Sequence, residues 1–368
     1  MTLDTERVAR AVCLRIAEPG DHRLASLVET HGAAGALEQI RAGRGVSERW
    51  LVRLPSADGR ADLDAAAAAG ARLVVPGDLE WPTDRVEGLL APPLGLYVRG
   101  SASLRSFLER SVAVVGSRAS TAYGEHVAAE IAADLAAAGW TVVSGGAYGI
   151  DGAAHRAALA VGGRSVAILA NGIDQSYPRG HVALLSRIAA TGLLVTELPP
   201  GEHPSRSRFL ERNRLIAALT LGTVAVEMAL RSGAATTVDR AHELGRVHMA
   251  VPGPVTSPMS AGCHHWISSR NASLVTSAAD VLALVAPYGE AAEADPRGEV
   301  RPTDALAPEE LRLFDALPVA GSRPLAELAG AAGIAPRDLA ERLDVLLRLG
   351  LATCDGTHVS RTTRGRGA

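Results

Sequence analysis

Between Val112 and Ala160, two β-branched runs each enter a loop of small residues and leave it as a helix. The first reads Val112-Ala113-Val114-Val115-Gly116-Ser117-Arg118, ahead of a helical run at 125–138. The second reads Val142-Val143-Ser144-Gly145-Gly146-Ala147-Tyr148-Gly149-Ile150-Asp151, ahead of 153–160. A turn of this kind aims unpaired backbone N–H groups and the positive end of a helix dipole above the sheet. Two such turns side by side make a site for more than one phosphate, which points to a nucleotide or nucleic-acid ligand. Gly116-Ser117-Arg118-Ala119-Ser120-Thr121 fails the second glycine of a dinucleotide fingerprint and places a cation there instead. That cation suits a phosphodiester better than a buried pyrophosphate; an internal ion pair is the other reading of Arg118. The glycines of the second loop let its backbone approach a ligand. Asp151, which would repel phosphates, is expected to cap the helix.

Three more clusters follow later strands. Asn171-Gly172-Ile173-Asp174-Gln175-Ser176-Tyr177-Pro178-Arg179 offers a stacking ring in Tyr177 and a cation in Arg179, or else a Tyr-Pro turn packed on its own domain. Stacking of a base on an aromatic ring contributes roughly 1–3 kcal/mol. Ser205-Arg206-Ser207-Arg208-Phe209-Leu210-Glu211-Arg212-Asn213-Arg214-Leu215-Ile216 sets four arginines near a helix start, more than amphipathicity explains. One of them is expected to be structural, bridging to Glu197 or Glu211. After Glu227, Ser232-Gly233-Ala234-Ala235-Thr236-Thr237 is a third small-residue helix start without the Gly-Gly-x-Gly-Thr loop of nucleotide-processing proteins of similar architecture. Ser144, His155 and Asp151 make a triad on paper, but no Gly-x-Ser-x-Gly turn surrounds Ser144. Cys263-His264-His265 has no second Cys/His pair at zinc spacing, so neither a metal nor a cofactor is expected.

The elements that must position these groups can be read from periodicity. Strands are expected at 112–115, 141–143, 165–169, 193–196, 223–226 and 247–251 with helices between them. This implies an α/β fold: an extended Rossmann-like parallel sheet covered on both faces, with the ligand at the carboxyl ends of the strands. Leu73-Val74-Val75 and Leu94-Gly95-Leu96-Tyr97-Val98 read as short strands leading into it. Residues 1–72 read as a helical accessory module of SAM or helix-hairpin-helix type. Leu24, Leu27 and Val28 share one face, Leu37 and Ile40 another, and Gly32 and Gly43 punctuate them. Such a module can clamp a DNA backbone or serve as packing, and packing is the preferred reading. The main domain spans 73–288, and 289–304, acidic and rich in proline and alanine, reads as a linker. Residues 305–362 suggest a winged helix: a helix at 309–317, a helix-turn-helix at 324–349 and a hairpin around Asp355-Gly356. Its second helix mixes Arg337, Arg342 and Arg348 with Asp338, Glu341 and Asp344, which leaves DNA and protein contact both open. Arg361, Arg364 and Arg366 could touch phosphate or form a solvated tail.

The 368 residues carry 37 basic and 40 acidic groups for a net charge of -3, so any polyanion site must be a local patch. Every basic residue apart from histidine is arginine, a planar donor that forks onto phosphate or stacks on a base. Three dispersed cysteines argue against a disulfide framework and suit a reducing compartment. Met1 to Arg10 carries Asp4 and Glu6 and does not read as a signal peptide, and no apolar run reaches membrane-spanning length. A cytoplasmic protein without membrane contact is expected.

Taken in order, Val115-Gly116-Ser117-Arg118, the 144–151 loop, Gly172-Ile173-Asp174 with Tyr177-Pro178, Phe209 with Arg212-Asn213-Arg214, Ser232-Gly233 and Val251-Pro252-Gly253-Pro254 resemble the signature set of the DNA-processing protein A (DprA/Smf) family. The likeness runs from about Trp81 to Leu284. It implies an extended Rossmann domain, often flanked by a helical N-terminal domain and a C-terminal winged helix. It also implies a non-enzymatic protein, most simply a homodimer, that binds single-stranded DNA without cleaving it and loads a RecA-type recombinase during natural transformation. Carried over by position, it implies that Arg118 and Arg179 contact the DNA backbone. Ser144, Gly145, Gly146, Arg212, Asn213 and Arg214 would line the same pocket, with Gly116, Ser117, Tyr177, Ser232 and Gly233 completing the site. The chain departs from the family pattern at His264, often asparagine there, and at Gly233-Ala234-Ala235-Thr236-Thr237, where Gly-Ser-Leu-Ile-Thr is common. A nucleotide-binding enzyme or sensor of similar architecture is the alternative, and a regulator reading duplex DNA through the terminal module is a third.

Overall fold

In the computed structural model the described residues are 3–44, 47–287 and 301–363. The expected linker lies outside them as far as residue 300, as do Arg364 and Arg366. The chain forms two compact units, Met1–Glu293 and Ala294–Ala368.

The first unit is built around β3 (Ser111–Val115), which is buried at every position. Val112 and Val114 pack into one core with Ile131, Leu135 and Ile150. Ala113 and Val115 pack into a second core with Ile168, Leu215 and Leu219. A strand apolar on both faces must sit in a sheet with helices on each side, and such sheets are parallel. On one side of it lie β4 (Thr141–Ser144), β5 (Ser165–Ile168) and β6 (Leu193–Thr196). On the other lie β7 (Gly222–Ala225), β8 (Val247–Ala250) and β9 (Ser273–Leu274). These strands all run parallel, Val112 facing Val142 in one neighbour and Gly222 in the other. Two antiparallel strands, β1 (Ala71–Val74) and β2 (Leu96–Arg99), extend the sheet beyond β6 to the order β1-β2-β6-β5-β4-β3-β7-β8-β9. The six expected parallel strands all form, each within a residue or two of its expected span. The chain winds outward from β3 to β6 and then returns to β7. The crevice above the carboxyl ends of β3 and β7 is therefore the topological switch point, where open α/β sheets take their ligands.

Among the described residues four α-helices precede the sheet: α1 (Leu3–Ile16), α2 (His22–Arg41), α3 (Glu48–Arg53) and α4 (Gly59–Ala68). Gly32 breaks α2 with a positive φ of 69°, the punctuation its position suggests. Asp21 caps α2 through the amides of Arg23 and Leu24, and also accepts the Trp50 indole N–H at 3.0 Å. Helix α1 serves two cores, Cys13 and Ile16 packing around Trp50 while Ala11 and Leu14 pack against Leu73 and Tyr97 of the sheet. Within the sheet region follow α5 (Thr83–Val86), α6 (Leu104–Glu109), α7 (Ala122–Ala137), α8 (Ile150–Ala160), α9 (Val182–Thr191), α10 (Arg206–Ala218), α11 (Gly233–Glu243), α12 (Ala261–Ser269) and α13 (Ala278–Val285).

The second unit runs α14 (Pro308–Asp315), β10 (Arg323–Pro324), α15 (Leu325–Ala332), α16 (Leu339–Arg348), β11 (Ala352–Cys354) and β12 (His358–Arg361). Leu313, Phe314, Leu328, Leu346 and Val359 form its core. Arg361 turns inward: its guanidinium lies 4.0 Å from the Phe314 ring centroid and donates to the carbonyls of Phe314 and Leu317. It is therefore a packing residue and not a tail cation.

One buried group makes the fold acid-sensitive. His155 on α8 is fully buried, its Nδ1 2.7 Å from the Ser165 hydroxyl. That hydroxyl donates to the Val142 carbonyl, so Nδ1 carries the ring proton and Nε2 is left a bare lone pair. Burial pulls its pKa down from 6.5 to about 3. The unfolded chain therefore binds a proton that the folded chain refuses below pH 6.5, and stability falls with acidification. Between pH 6.5 and pH 4.5 the loss is about 2–3 kcal/mol. Urea titrations at those two pH values should show it, and His155→Gln should flatten the slope. An unchanged slope in that variant would show that another group titrates.

Candidate nucleic-acid interface

A groove of about 810 Å³ opens at the switch point. One wall is the loop after β3, with Gly116, Ser117 and Arg118, and the opposite wall is the start of α11, with Ser232 and Gly233. The floor and flank come from α10 through Arg206, Phe209, Arg212 and Asn213, with Tyr177 at the rim. Arg118 is exposed and forms no ion pair among the described residues; its guanidinium lies 4.5 Å from the Phe209 ring centroid. The Tyr177 ring, 40 % exposed, sits 5.7 Å from the same ring. A cation and two aromatic faces thus converge above the sheet, a combination that holds phosphate and stacks bases.

The glycine loops do something other than expected. The Gly145 and Ala147 amides are not bare: both donate to the Asp151 carboxylate, at 3.1 and 3.3 Å. Asp151 does not cap α8, whose N-cap is Gly149; it closes the loop back on the helix. On the first loop the Ser117 amide donates to the Glu227 carbonyl, and the Thr121 amide and hydroxyl both go to the Glu227 carboxylate. The glycines allow close approach of protein to protein. A side chain on Gly145 would lie 2.6 Å from the Arg212 guanidinium, and one on Gly149, at φ +73°, would run into the Ser117 carbonyl. The two loops are packed on each other, the Ile150 amide donating to the Ser117 carbonyl.

The arginines of α10 divide by direction. Arg206 is exposed to the groove. Arg212 lines the groove but is 6 % exposed, donating to the carbonyls of Gly145 and Ile168. Burial draws its pKa down to about 10, with Asp151 opposing and Arg118 adding, so it stays charged at neutral pH. Burial likewise pushes the Asp151 carboxyl up, against the pull of Arg212 and the loop amides. Arg208 leaves the groove to bind Glu18 and Glu202. Arg214 does not line it either: it forms a buried ion pair with Glu197 at 2.8 Å, the structural bridge foreseen for one of the four. Asn213 ties α10 to α11 through the Gly233 carbonyl and the Thr236 hydroxyl. Ser144 is buried with its hydroxyl on the Val114 carbonyl, and Gly146 also lies away from the groove. Arg179 is exposed at the start of a single 3-10 turn and does not line it. Because His155 meets Ser165, the Ser144–His155–Asp151 triad is not assembled.

Comparison with known proteins decides what kind of chain this is. Residues 72–286 match the model of the family described as DNA recombination-mediator protein A. The chain belongs to that family. A Mycobacterium tuberculosis protein provisionally named DNA processing protein DprA is 44% identical over 381 residues, taking in 100% of this chain and 97% of the relative. DNA processing protein DprA of Streptococcus pneumoniae is 41% identical over 203 residues, 55% of this chain and 70% of the relative. The X-ray structure of the Streptococcus pneumoniae DprA superposes with a TM-score of 0.64 at 31% identity, over 77% of this chain and 98% of that one. A Helicobacter pylori DNA processing protein A, whose structure was described for its single-stranded DNA binding mode, shares the fold at a TM-score of 0.52 and 24% identity, over 58% and 96% of the two chains.

In this member of the recombination-mediator family, Arg206, Phe209 and Arg231 also line the groove; the sequence marks the cluster that holds Arg206 and Phe209 without singling those two out as site residues, and does not mark Arg231. For two of them a signal was present. Arg206, Phe209, Leu210 and Asn213 stand at i, i+3, i+4 and i+7, one face of a helix, and all four line the groove. Arg231 carries no such mark; it reaches the groove because β7 ends beside β3.

Proposed function

We propose that this chain binds an unpaired DNA strand along the switch-point groove, does not cleave it, and hands it to a RecA-type recombinase. The observation that carries the reading is Arg118, exposed and free of ion pairs among the described residues, stacked on Phe209 beside Tyr177. A phosphodiester strand meets forked donors there while its bases meet aromatic faces. Membership of a recombination-mediator family and the single-strand binding described for the Helicobacter pylori relative support it. The groups with the chemistry of a triad are engaged elsewhere: Asp151 by the loop amides, Ser144 by a carbonyl, His155 by Ser165. We read the second unit as a winged helix that meets protein, because Arg342 pairs with Glu309 and Glu310, and Arg348 with Asp344. A homodimer in the cytoplasm is part of the same proposal.

A binding series from a mononucleotide to a long oligodeoxythymidylate tests it. Affinity is expected to rise with length, with a salt slope of roughly 0.7 per phosphate contacted and the oligonucleotide recovered intact. Saturation by the mononucleotide at micromolar concentration, with no further gain from length, would replace this reading with a nucleotide enzyme or sensor.

A further inference from the structure

A second groove, also about 810 Å³, lies on the far side of the first turn of α10. Its other wall belongs to the N-terminal helices: the turn from α1 into α2, with His22 and Arg23, and α3 with Arg49, Trp50 and Arg53. Ser205, the cap of α10, lines both grooves, so the two meet at that residue.

The charges in this groove are sorted in a way that packing does not require. Glu18 is held by Arg53 at 2.8 Å and by Arg208 at 2.8 Å. Asp21 is taken up in capping α2 and holding the Trp50 indole. Among the described residues Arg23 and Arg49 form no ion pair, and both are exposed. The first turns of α2 and α10, which both border the groove, hold no acidic residue. Arg23 stands in the first turn of α2 beside the Asp21 cap, and Arg208 in that of α10, where Glu18 and Glu202 hold it. Two lining carboxylates are partly exposed: Glu18, which Arg53 and Arg208 hold, and Glu211, 3.9 Å from Arg214.

We infer that an unpaired strand leaving the switch-point groove crosses Ser205 and continues into this second groove, where Arg23 and Arg49 contact its phosphates. The inference rests on the reading of the first groove and extends it: the N-terminal helices are part of the binding surface as well as packing. It sets the length of strand the protein covers, because oligonucleotides that fill the first groove alone gain nothing from Arg23 or Arg49.

The test is the full chain and its R23A/R49A variant, titrated with oligodeoxythymidylates of increasing length at several salt concentrations. The variant is expected to match the unmodified chain on short oligonucleotides, which also reports an intact fold. On long ones it should lose about tenfold in affinity at 0.1 M salt and roughly 1.4 in salt slope. If the variant gains from length as fully as the unmodified chain, the second groove is not on the path. If it is weakened equally at every length, the arginines act elsewhere and the inference again fails. An unmodified chain that gains nothing from length overturns the first-groove reading instead, so the two failures are distinct.

Discussion

Arg118→Ala is expected to weaken binding of an unpaired oligonucleotide by about 10- to 100-fold and to lower the melting temperature by no more than about 3 °C. The size follows from what the residue offers. A hydrogen bond to a charged group contributes about 1.5–3 kcal/mol, and each 1.4 kcal/mol is about tenfold in affinity. The fold loses little, because Arg118 is exposed and its recorded contact is with the Phe209 ring, 4.5 Å from the guanidinium. Such a contact contributes about 0.5–1 kcal/mol at an exposed site. The salt slope should fall by roughly 0.7, the mark of one phosphate contact removed. Arg118→Lys separates the two roles: it keeps the charge and therefore the slope, but loses the planar stacking face and some of the affinity. Fluorescence anisotropy across a salt series measures both quantities. Unchanged affinity and slope in Arg118→Ala would remove the groove from consideration as the DNA site.

The sheet was legible because its signal is local. A strand such as β3, apolar at Val112, Ala113, Val114 and Val115 alike, fits only a sheet covered on both faces, and the alternation with helices does the rest. The site was legible in its residue types and less so in their directions. Gly145 and Gly149 marked a close approach, but glycine does not say whether the approaching atoms are a ligand or the protein itself. Here they are Arg212 and the Ser117 carbonyl, and the loop amides close on Asp151. Arg212, Asn213 and Arg214 are consecutive, so a helix must turn them about 100° apart, and no single face can present all three. Their partners, the Ile168 carbonyl, the Gly233 carbonyl and Glu197, come from three other parts of the chain. Arg206 and Phe209, by contrast, share the groove-facing side of α10, and helical spacing alone would have found them.

The division of labour along α10 makes Arg214 the sharpest contrast with Arg118. Arg214 and Glu197 are each 5 % exposed, and the pair leaves the Arg214 Nε and Nη1 without hydrogen-bond partners. Burial pushes the Glu197 carboxyl up and Arg214 pulls it only part of the way back, so the ion pair does not fully offset the desolvation. Removing one partner strands the other charge: Glu197→Gln or Arg214→Met should cost about 3–5 kcal/mol. For a unit of this size that lowers the melting temperature by roughly 10 °C. Removing both partners should cost much less, because an apolar pair of similar volume replaces an expensive buried one. The double variant E197L/R214M is therefore expected to melt near the unmodified chain and, well below that temperature, to bind oligonucleotide with unchanged affinity and salt slope. Arg214 faces Glu197, away from the groove, so the strand never meets it. A double variant that regains its melting temperature yet has lost DNA binding would place Arg214 in the interface, and the side-chain directions along α10 would have to be assigned anew.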